Sequence, residues 1–167
     1  VCVPSIFLFI SAAMKKTSSD NKSTVCSKIK TSWHLINRMY NGAGATQDLT
    51  TAMGFVLLNI HPENGTPSTK IGPLLGMESK SLSRMLKGLE EKKWIKRKTS
   101  LQDKRSVIIY LTPKGLEKRE ISKQTVKKFN QIVKVKLGEN KIKEFYETID
   151  SINGIVDKLN TQQLLQH

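Results

Sequence analysis

Cysteine, histidine and acidic residues are scarce in this chain of 167 residues, and each scarcity excludes a class of protein. The two cysteines, Cys2 and Cys26, are too few for a disulfide framework, which is typical of a protein in a reducing, cytoplasmic compartment. The three histidines are scattered, and none has metal-ligand spacing to a cysteine. Phosphate-cradling glycine loops and nucleophile elbows are also missing. The sequence therefore predicts no enzyme and no bound metal or cofactor.

Acidic residues number only 14 against 28 lysines and arginines, so the formal net charge is +14. Such an excess attracts polyanions over distances comparable with the Debye length. Nucleic acid is the first candidate partner, and an anionic membrane surface or a partner protein is the alternative. The positions of the basic residues separate these alternatives better than their number does.

Long apolar runs are confined to residues 1–13, which carry no charge and precede Met14 and two lysines. The run resembles the apolar core of a secretory signal, with Ser11 and Ala13 at the cleavage positions. However, no basic residue precedes it, and it is too short to span a bilayer. We interpret it as an upstream extension, with a signal peptide as the alternative. The polar stretch that follows completes a predicted extension and disordered arm over residues 1–24.

Apolar residues then recur at steps of three or four, which predicts an amphipathic helix that ends at the glycines of residues 42–44. A second helix is predicted to begin with Thr50 or Thr51 as its N-cap and to run to His61. Thr66 followed by Pro67 predicts a further N-cap with proline at the first helical position.

Gly72, Gly76 and Leu82 have the spacing of a helix–turn–helix. The first glycine permits close helix approach, the second permits a positive φ, and the leucine anchors the second helix on the core. Pro73 predicts that the first helix of the pair is short or bent.

The second helix, predicted over residues 78–92, has two faces. Leu82, Met85, Leu86 and Leu89 form the inward stripe. The outward face carries basic and hydroxyl side chains near the start of the helix: Ser79, Lys80, Ser81, Ser83, Arg84 and Lys87. An ordinary solvated helix face is the alternative, and it is weakened by the position of this stripe on the second helix of the motif.

Two strand-like runs follow, residues 95–98 and 107–111, and they predict a two-stranded wing. The tip of the loop between them carries Asp103, Lys104 and Arg105, which places an arginine where it can enter a minor groove. Thr112 and Pro113 then predict the start of a long helix that Gly138 ends, before a last helix with an apolar stripe.

These stretches resemble the MarR family of winged helix–turn–helix regulators. The matching residues are 81–91 with 95–97, the Asp-x-Arg wing of residues 103–111, and the Leu-Thr-Pro-Lys-Gly segment 111–115. One departure is Lys93-Trp94, where the family usually has glycine and a small aliphatic residue. Lys93 is therefore expected to adopt a left-handed conformation at the helix end.

The resemblance implies a mostly α fold with a small two- to three-stranded β wing. It implies an N-terminal dimerisation helix (residues 25–48), a winged helix–turn–helix region (residues 49–111) and C-terminal dimerisation helices (residues 112–163). A homodimer would bind a pseudo-palindromic operator in double-stranded DNA, as a repressor or activator controlled by a small ligand or an oxidant.

Individual roles follow from this picture. Lysines are expected to neutralise phosphates: Lys70, Lys80, Lys87, Lys96 and Lys98. Base edges are expected to be read from the start of the recognition helix: Ser79, Lys80, Ser81, Ser83 and Arg84. Arg105 is the expected minor-groove residue, oriented by Asp103.

The resemblance also suggests an effector site. Trp33, Tyr40 and Met53 are candidates to line a crevice for a small aromatic anion, and core packing is the alternative for each of them. Cys26 occupies a place similar to that of the reactive cysteine in the hydroperoxide-sensing branch of the family. Lys30, one helical turn away, would favour its thiolate, and a buried packing cysteine is the alternative.

Overall fold

The computed structural model describes residues 24–99 and 106–161. The chain divides into two compact units, Val1–Ile36 and Asn37–His167. The helices and strands, in chain order, are α1 (Val25–Gly44), a 3₁₀ turn (Ala45–Gln47), α2 (Thr51–Leu58), β1 (Thr66–Pro67), α3 (Ser68–Leu74), α4 (Ser79–Glu91), β2 (Ile95–Thr99), β3 (Val107–Leu111), α5 (Pro113–Leu137) and α6 (Glu139–Thr161). The predictions for residues 1–23 and for Asp103, Lys104 and Arg105 lie outside the described residues.

Three predicted helix boundaries are confirmed, two at N-cap threonines and one at a glycine. The hydroxyl of Thr50 accepts a hydrogen bond from the Met53 amide, and that of Thr112 accepts one from the Gly115 amide. Gly138 ends α5 with a φ of 81°.

Helix α2 ends at Leu58 rather than at His61. The reason is local competition for backbone groups. The side-chain amide of Asn59 donates to the Phe55 carbonyl at 2.9 Å, and the His61 amide donates to the Thr66 hydroxyl at 2.9 Å. The His61 contact takes the place of the bond to the Leu57 carbonyl that a continuing helix would make, whereas the Asn59 side chain adds a second donor to the Phe55 carbonyl, which the Asn59 backbone amide already bonds.

The predicted N-cap at Thr66 is wrong, because Thr66 and Pro67 form the short strand β1 and α3 begins at Ser68. Strand β1 pairs antiparallel with β3, and β3 pairs with β2, so the sheet order is β1-β3-β2. Pro67 is tolerated there because β1 is an edge strand, where a missing amide donor leaves no ladder bond unmade.

The core of the second unit lies where α2, α3, α4 and the sheet meet. Its fully buried side chains come from all of these elements and from the loop after α2: Val56, Leu57, Ile60, Ile71, Leu89 and Ile109. Burying each such side chain stabilises the fold by about 1.5–3 kcal/mol. This shared core fixes α4 against the sheet and so determines which face of α4 is exposed.

Candidate nucleic-acid interface

Helices α3 and α4 form a tight pair that is joined at Gly76. Gly72 is buried, and a Cβ atom on it would lie 3.3 Å from the Met77 carbonyl oxygen and 3.4 Å from Leu82. Gly76 has a φ of 58°, which glycine adopts without strain. With Pro73 inside it, α3 has only 7 residues, as predicted. The geometry is that of a helix–turn–helix.

Helix α4 buries one face and leaves the other open. Leu82, Leu86 and Leu89 are no more than 7% exposed, and they fix the rotation of the helix about its axis. All the predicted contact residues on α4 are exposed: Ser79, Lys80, Ser81, Ser83, Arg84 and Lys87. The start of α4 also carries the positive end of the helix dipole, which favours a nearby phosphate.

Strands β2 and β3 form the predicted wing, with Ile95 opposite Leu111 and Thr99 opposite Val107. Lys96 and Lys98 lie two residues apart on one face of β2, and both are exposed. The Lys98 ammonium lies 5.8 Å from the centre of the Tyr110 ring, a cation–π contact that orients the side chain. Lys70, on α3, is exposed as well.

Arg97 makes a contact that was not predicted from the sequence. Its Nε lies 3.0 Å from a carboxylate oxygen of Glu90, so the ion pair joins the first strand of the wing to the end of α4. Because Arg97 alternates with Lys96 and Lys98 along β2, it projects from the opposite face. Strand alternation gives that face, but no sequence signal identifies Glu90 as the partner.

The junction between α4 and β2 explains why threonine and glycine stand at these positions of the Leu-Thr-Pro-Lys-Gly segment, residues 111–115. Lys93 has a φ of 59°, which confirms the expected left-handed conformation. The Thr112 hydroxyl lies 2.7 Å from the Lys93 carbonyl oxygen, and a Cβ atom on Gly115 would lie 1.8 Å from the Trp94 carbonyl oxygen. Glycine is therefore required at position 115, since the start of α5 packs directly on the backbone of Trp94, between α4 and β2.

The candidate effector residues lie in different surroundings. Tyr40 lines a cavity of about 30 Å³ and makes edge-to-face contacts with Phe55 and Phe129. Burial raises the pKa of Tyr40. Met53 packs on the core and is not among the residues that line this cavity, and Trp33 belongs to the first unit. A volume of about 30 Å³ holds about one water molecule, so the cavity has no room for an aromatic acid as it stands.

Cys26 is exposed, so the alternative of a buried packing cysteine is wrong within this chain. Lys30 is exposed as well and lies one turn further along α1.

Across residues 24–99 and 106–161, no helix is long and apolar enough to cross a membrane. The same residues contain no group of three or more histidine, cysteine, aspartate and glutamate side chains arranged to hold a metal ion.

Comparison with known proteins confirms the predicted resemblance and fold class. Residues 49–107 match the model of the MarR family. The HTH-type transcriptional regulator TtmR of Methylorubrum extorquens (strain PA1) is 32% identical over 108 residues, which are 62% of this chain and 55% of TtmR. The chain thus spans about half the length of this curated relative.

Two solved structures of DNA complexes have the same fold. MepR of S. aureus superimposes with a TM-score of 0.73 at 22% identity, over 78% of this chain and 97% of MepR. The overoxidized AbfR superimposes with a TM-score of 0.63 at 26% identity, over 78% of this chain and 91% of AbfR. The predicted mostly α fold with a winged helix–turn–helix is therefore confirmed.

Proposed function

We propose that this chain, which carries a MarR-family winged-helix region, is a transcription regulator that binds double-stranded DNA in a sequence-specific manner. The observation that carries the proposal is the two-faced α4. Its leucines are buried, and its exposed start presents Arg84 with serine and lysine side chains. TtmR is named as a transcriptional regulator, and MepR and AbfR are described in complexes with DNA, which supports the same role here.

In this proposal α4 enters the major groove, where arginine, lysine and serine side chains read base edges. Exposed lysines neutralise phosphates and supply most of the affinity: Lys70, Lys80, Lys87, Lys96 and Lys98. Arg105 enters the minor groove from the wing tip, with Asp103 orienting it and Lys104 beside it.

We propose that the protein is a homodimer. Helix α6 exposes large apolar side chains: Phe145 (55%), Tyr146 (55%), Ile155 (57%) and Val156 (46%). Apolar surface of this extent along one helix is typical of an interface between copies. Two-fold symmetry then predicts a pseudo-palindromic operator with half-sites about one helical turn apart.

We propose that the protein is a cytoplasmic repressor that an effector releases from DNA. A small aromatic anion is one candidate effector, and the Tyr40 cavity would have to widen to admit it. An oxidant is the other, acting at the exposed Cys26, where a sulfenic acid would add a polar group to α1. Treatment with cumene hydroperoxide should lower operator affinity in the wild type and not in Cys26→Ser. Unchanged affinity in the wild type would remove the oxidant from the proposal.

The function is tested by selecting a bound sequence from random duplexes and titrating the selected site against salt. Affinity should fall steeply with salt, because each neutralised phosphate releases counterions. Equal binding to random duplexes, or stronger binding to anionic vesicles, would contradict an operator-specific role and favour a basic protein that binds membrane surfaces.

Arg84→Ala tests the recognition surface. A base-reading arginine contributes about 1–3 kcal/mol of discrimination, or roughly 5- to 150-fold in specific affinity. Arg105→Ala should have a comparable effect at the minor groove. Lys127→Ala, which changes an exposed lysine on α5, is the matched control. Wild-type operator binding by both arginine variants would show that the recognition surface is elsewhere.

A further inference from the structure

A second cavity, which is open to solvent and separate from the proposed DNA-facing surface and from the Tyr40 cavity, lies where the loop after α1, the end of α4 and the start of α5 meet. Its volume is about 310 Å³, which is roughly ten water molecules. Three lysines line it, Lys92, Lys114 and Lys118, together with Asp48 and Trp94. The predicted DNA, ligand and redox residues do not include any of these side chains.

Charge in this cavity is unbalanced. Asp48 is the only acidic residue in its lining, and its carboxylate accepts a hydrogen bond from the Lys92 ammonium. The lining therefore carries a net charge of +2, from three ammonium groups and one carboxylate. These charges act on one another, because the lysines hold the pKa of Asp48 below its usual range, Lys92 first and Lys118 and Lys114 after it.

Lys118 is the group that most needs a counter-charge. Its residue is only 8% exposed, and its ammonium donates to the neutral Gln47 amide oxygen at 2.8 Å. It also lies 5.6 Å from the centre of the Trp94 ring. A buried ammonium is costly unless an anion pairs with it, and the one carboxylate of the lining, Asp48, is hydrogen-bonded to Lys92 rather than to Lys118.

The position of Lys114 also favours an anion. Lys114 lies in the first turn of α5, where the helix dipole disfavours a cation and favours a negative group. An anion in the cavity would offset this unfavourable interaction and would offer oxygen acceptors to the ammonium groups of the lining.

We propose that this cavity binds a small dianion, a phosphate or a short dicarboxylate, with Lys118 and Lys114 as its charge partners. Two negative charges neutralise the net +2 of the lining, whereas one leaves half of it uncompensated. The two lysines are four residues apart on α5 and so lie on the same face of the helix. The bound anion would join the start of α5 to the end of the recognition helix.

The test is isothermal titration calorimetry of the full chain without DNA, at constant ionic strength, with succinate, inorganic phosphate and acetate as probes. We expect succinate or phosphate to bind with one site per chain and acetate to bind at least tenfold more weakly. The dianion that binds more tightly shows whether the site prefers a phosphate or a dicarboxylate. Since no DNA is present, failure of the proposed regulator function would not affect this result.

Variants of opposite expected sign make the assignment specific. Lys118→Gln and Lys114→Gln should each weaken dianion binding at least tenfold. Asp48→Asn should tighten it severalfold, because it removes the competing carboxylate, and asparagine tolerates the φ of 53° at this position. Lys127→Gln, an exposed lysine outside the cavity, should change nothing.

Trp94 supplies an optical readout. In a Trp33→Phe background it is the only tryptophan of the chain, so its fluorescence should change on dianion addition. If Lys118→Gln fails to fold by circular dichroism, the Lys114 and Asp48 variants still decide the question. No binding of either dianion, acetate binding as tight as succinate binding, or an Asp48→Asn variant that binds more weakly would each overturn the proposal.

Discussion

Helices α4 and α6 both carry apolar stripes at helical spacing, but the chain buries only the stripe of α4. Leu89 of α4 is fully buried in the core. In α6 no residue is fully buried, and Phe145 and Ile155 are more than half exposed. Helix α4 thus has its partners within the winged helix, whereas the main contacts of α6, among the described residues, are with α5. Similar patterns therefore identify both helices without showing what covers them.

The largest difference should appear when a leucine is shortened in α4 and at the end of α5, just before α6. Leu89→Ala should lower the free energy of unfolding by about 2–5 kcal/mol, because it leaves a cavity in a packed core. Leu137→Ala removes the same atoms from a residue that is 51% exposed at the end of α5, and it should cost less than about 0.5 kcal/mol. Urea denaturation measures both. Equal costs would show that the two leucines are packed alike.

The exposed face of α6 is the next point to test. Phe145→Asp combined with Ile155→Asp should convert a dimer into a monomer, because four charges would be buried per two-fold interface. Sedimentation velocity measures the state, and circular dichroism should show an unchanged helical content. Asn153→Asp, on the same helix, is the control for added charge. A double variant that stays dimeric would place the interface elsewhere.

The winged helix was the more predictable of the two regions. The bounds of α4, the positive φ of Gly76 and of Lys93, and the strands of the wing follow from local signals, whereas the end of α2 at Leu58 does not. Thr66 was predicted wrongly as an N-cap. A threonine before a proline suits either an N-cap or a short edge strand, and here the pairing with β3 selects the strand. The cavity around Lys118 was not predicted, since it joins residues 71 positions apart, Gln47 and Lys118, whose contact no local pattern encodes.

A backbone exchange at the end of α4 should have a smaller effect. Lys93 has a φ of 59° without being a glycine, so Lys93→Gly should stabilise the protein by about 1 kcal/mol. Gly76 has nearly the same φ, 58°, with open space around a Cβ atom. Gly76→Ala should therefore destabilise by a similar amount. Thermal unfolding of both variants checks the pair, and a destabilised Lys93→Gly would mean that the lysine makes contacts worth more than its strain.

The smallest expected effect concerns the junction between α5 and α6. An exposed ion pair joins the two helices there. The Lys134 ammonium donates to the Glu139 carboxylate at 2.7 Å. This hydrogen bond and the lysine charge lower the pKa of Glu139, and the same contacts raise the pKa of Lys134. The carboxylate contributes stability above its unfolded pKa of about 4.3, which is lost as the pH falls through the lower folded value.

The ammonium contributes stability below its unfolded pKa of about 10.4, which is lost as the pH rises through the higher folded value. The pair therefore stabilises the junction between about pH 5 and pH 10. Glu139→Gln should lower the melting temperature slightly at pH 7, and the difference should shrink toward about pH 2–3 and in about 1 M salt. Glu144→Gln, another exposed carboxylate of α6, is the control. A difference that persists unchanged at low pH would mean that Glu139 acts through packing, because charge pairing requires its ionised form.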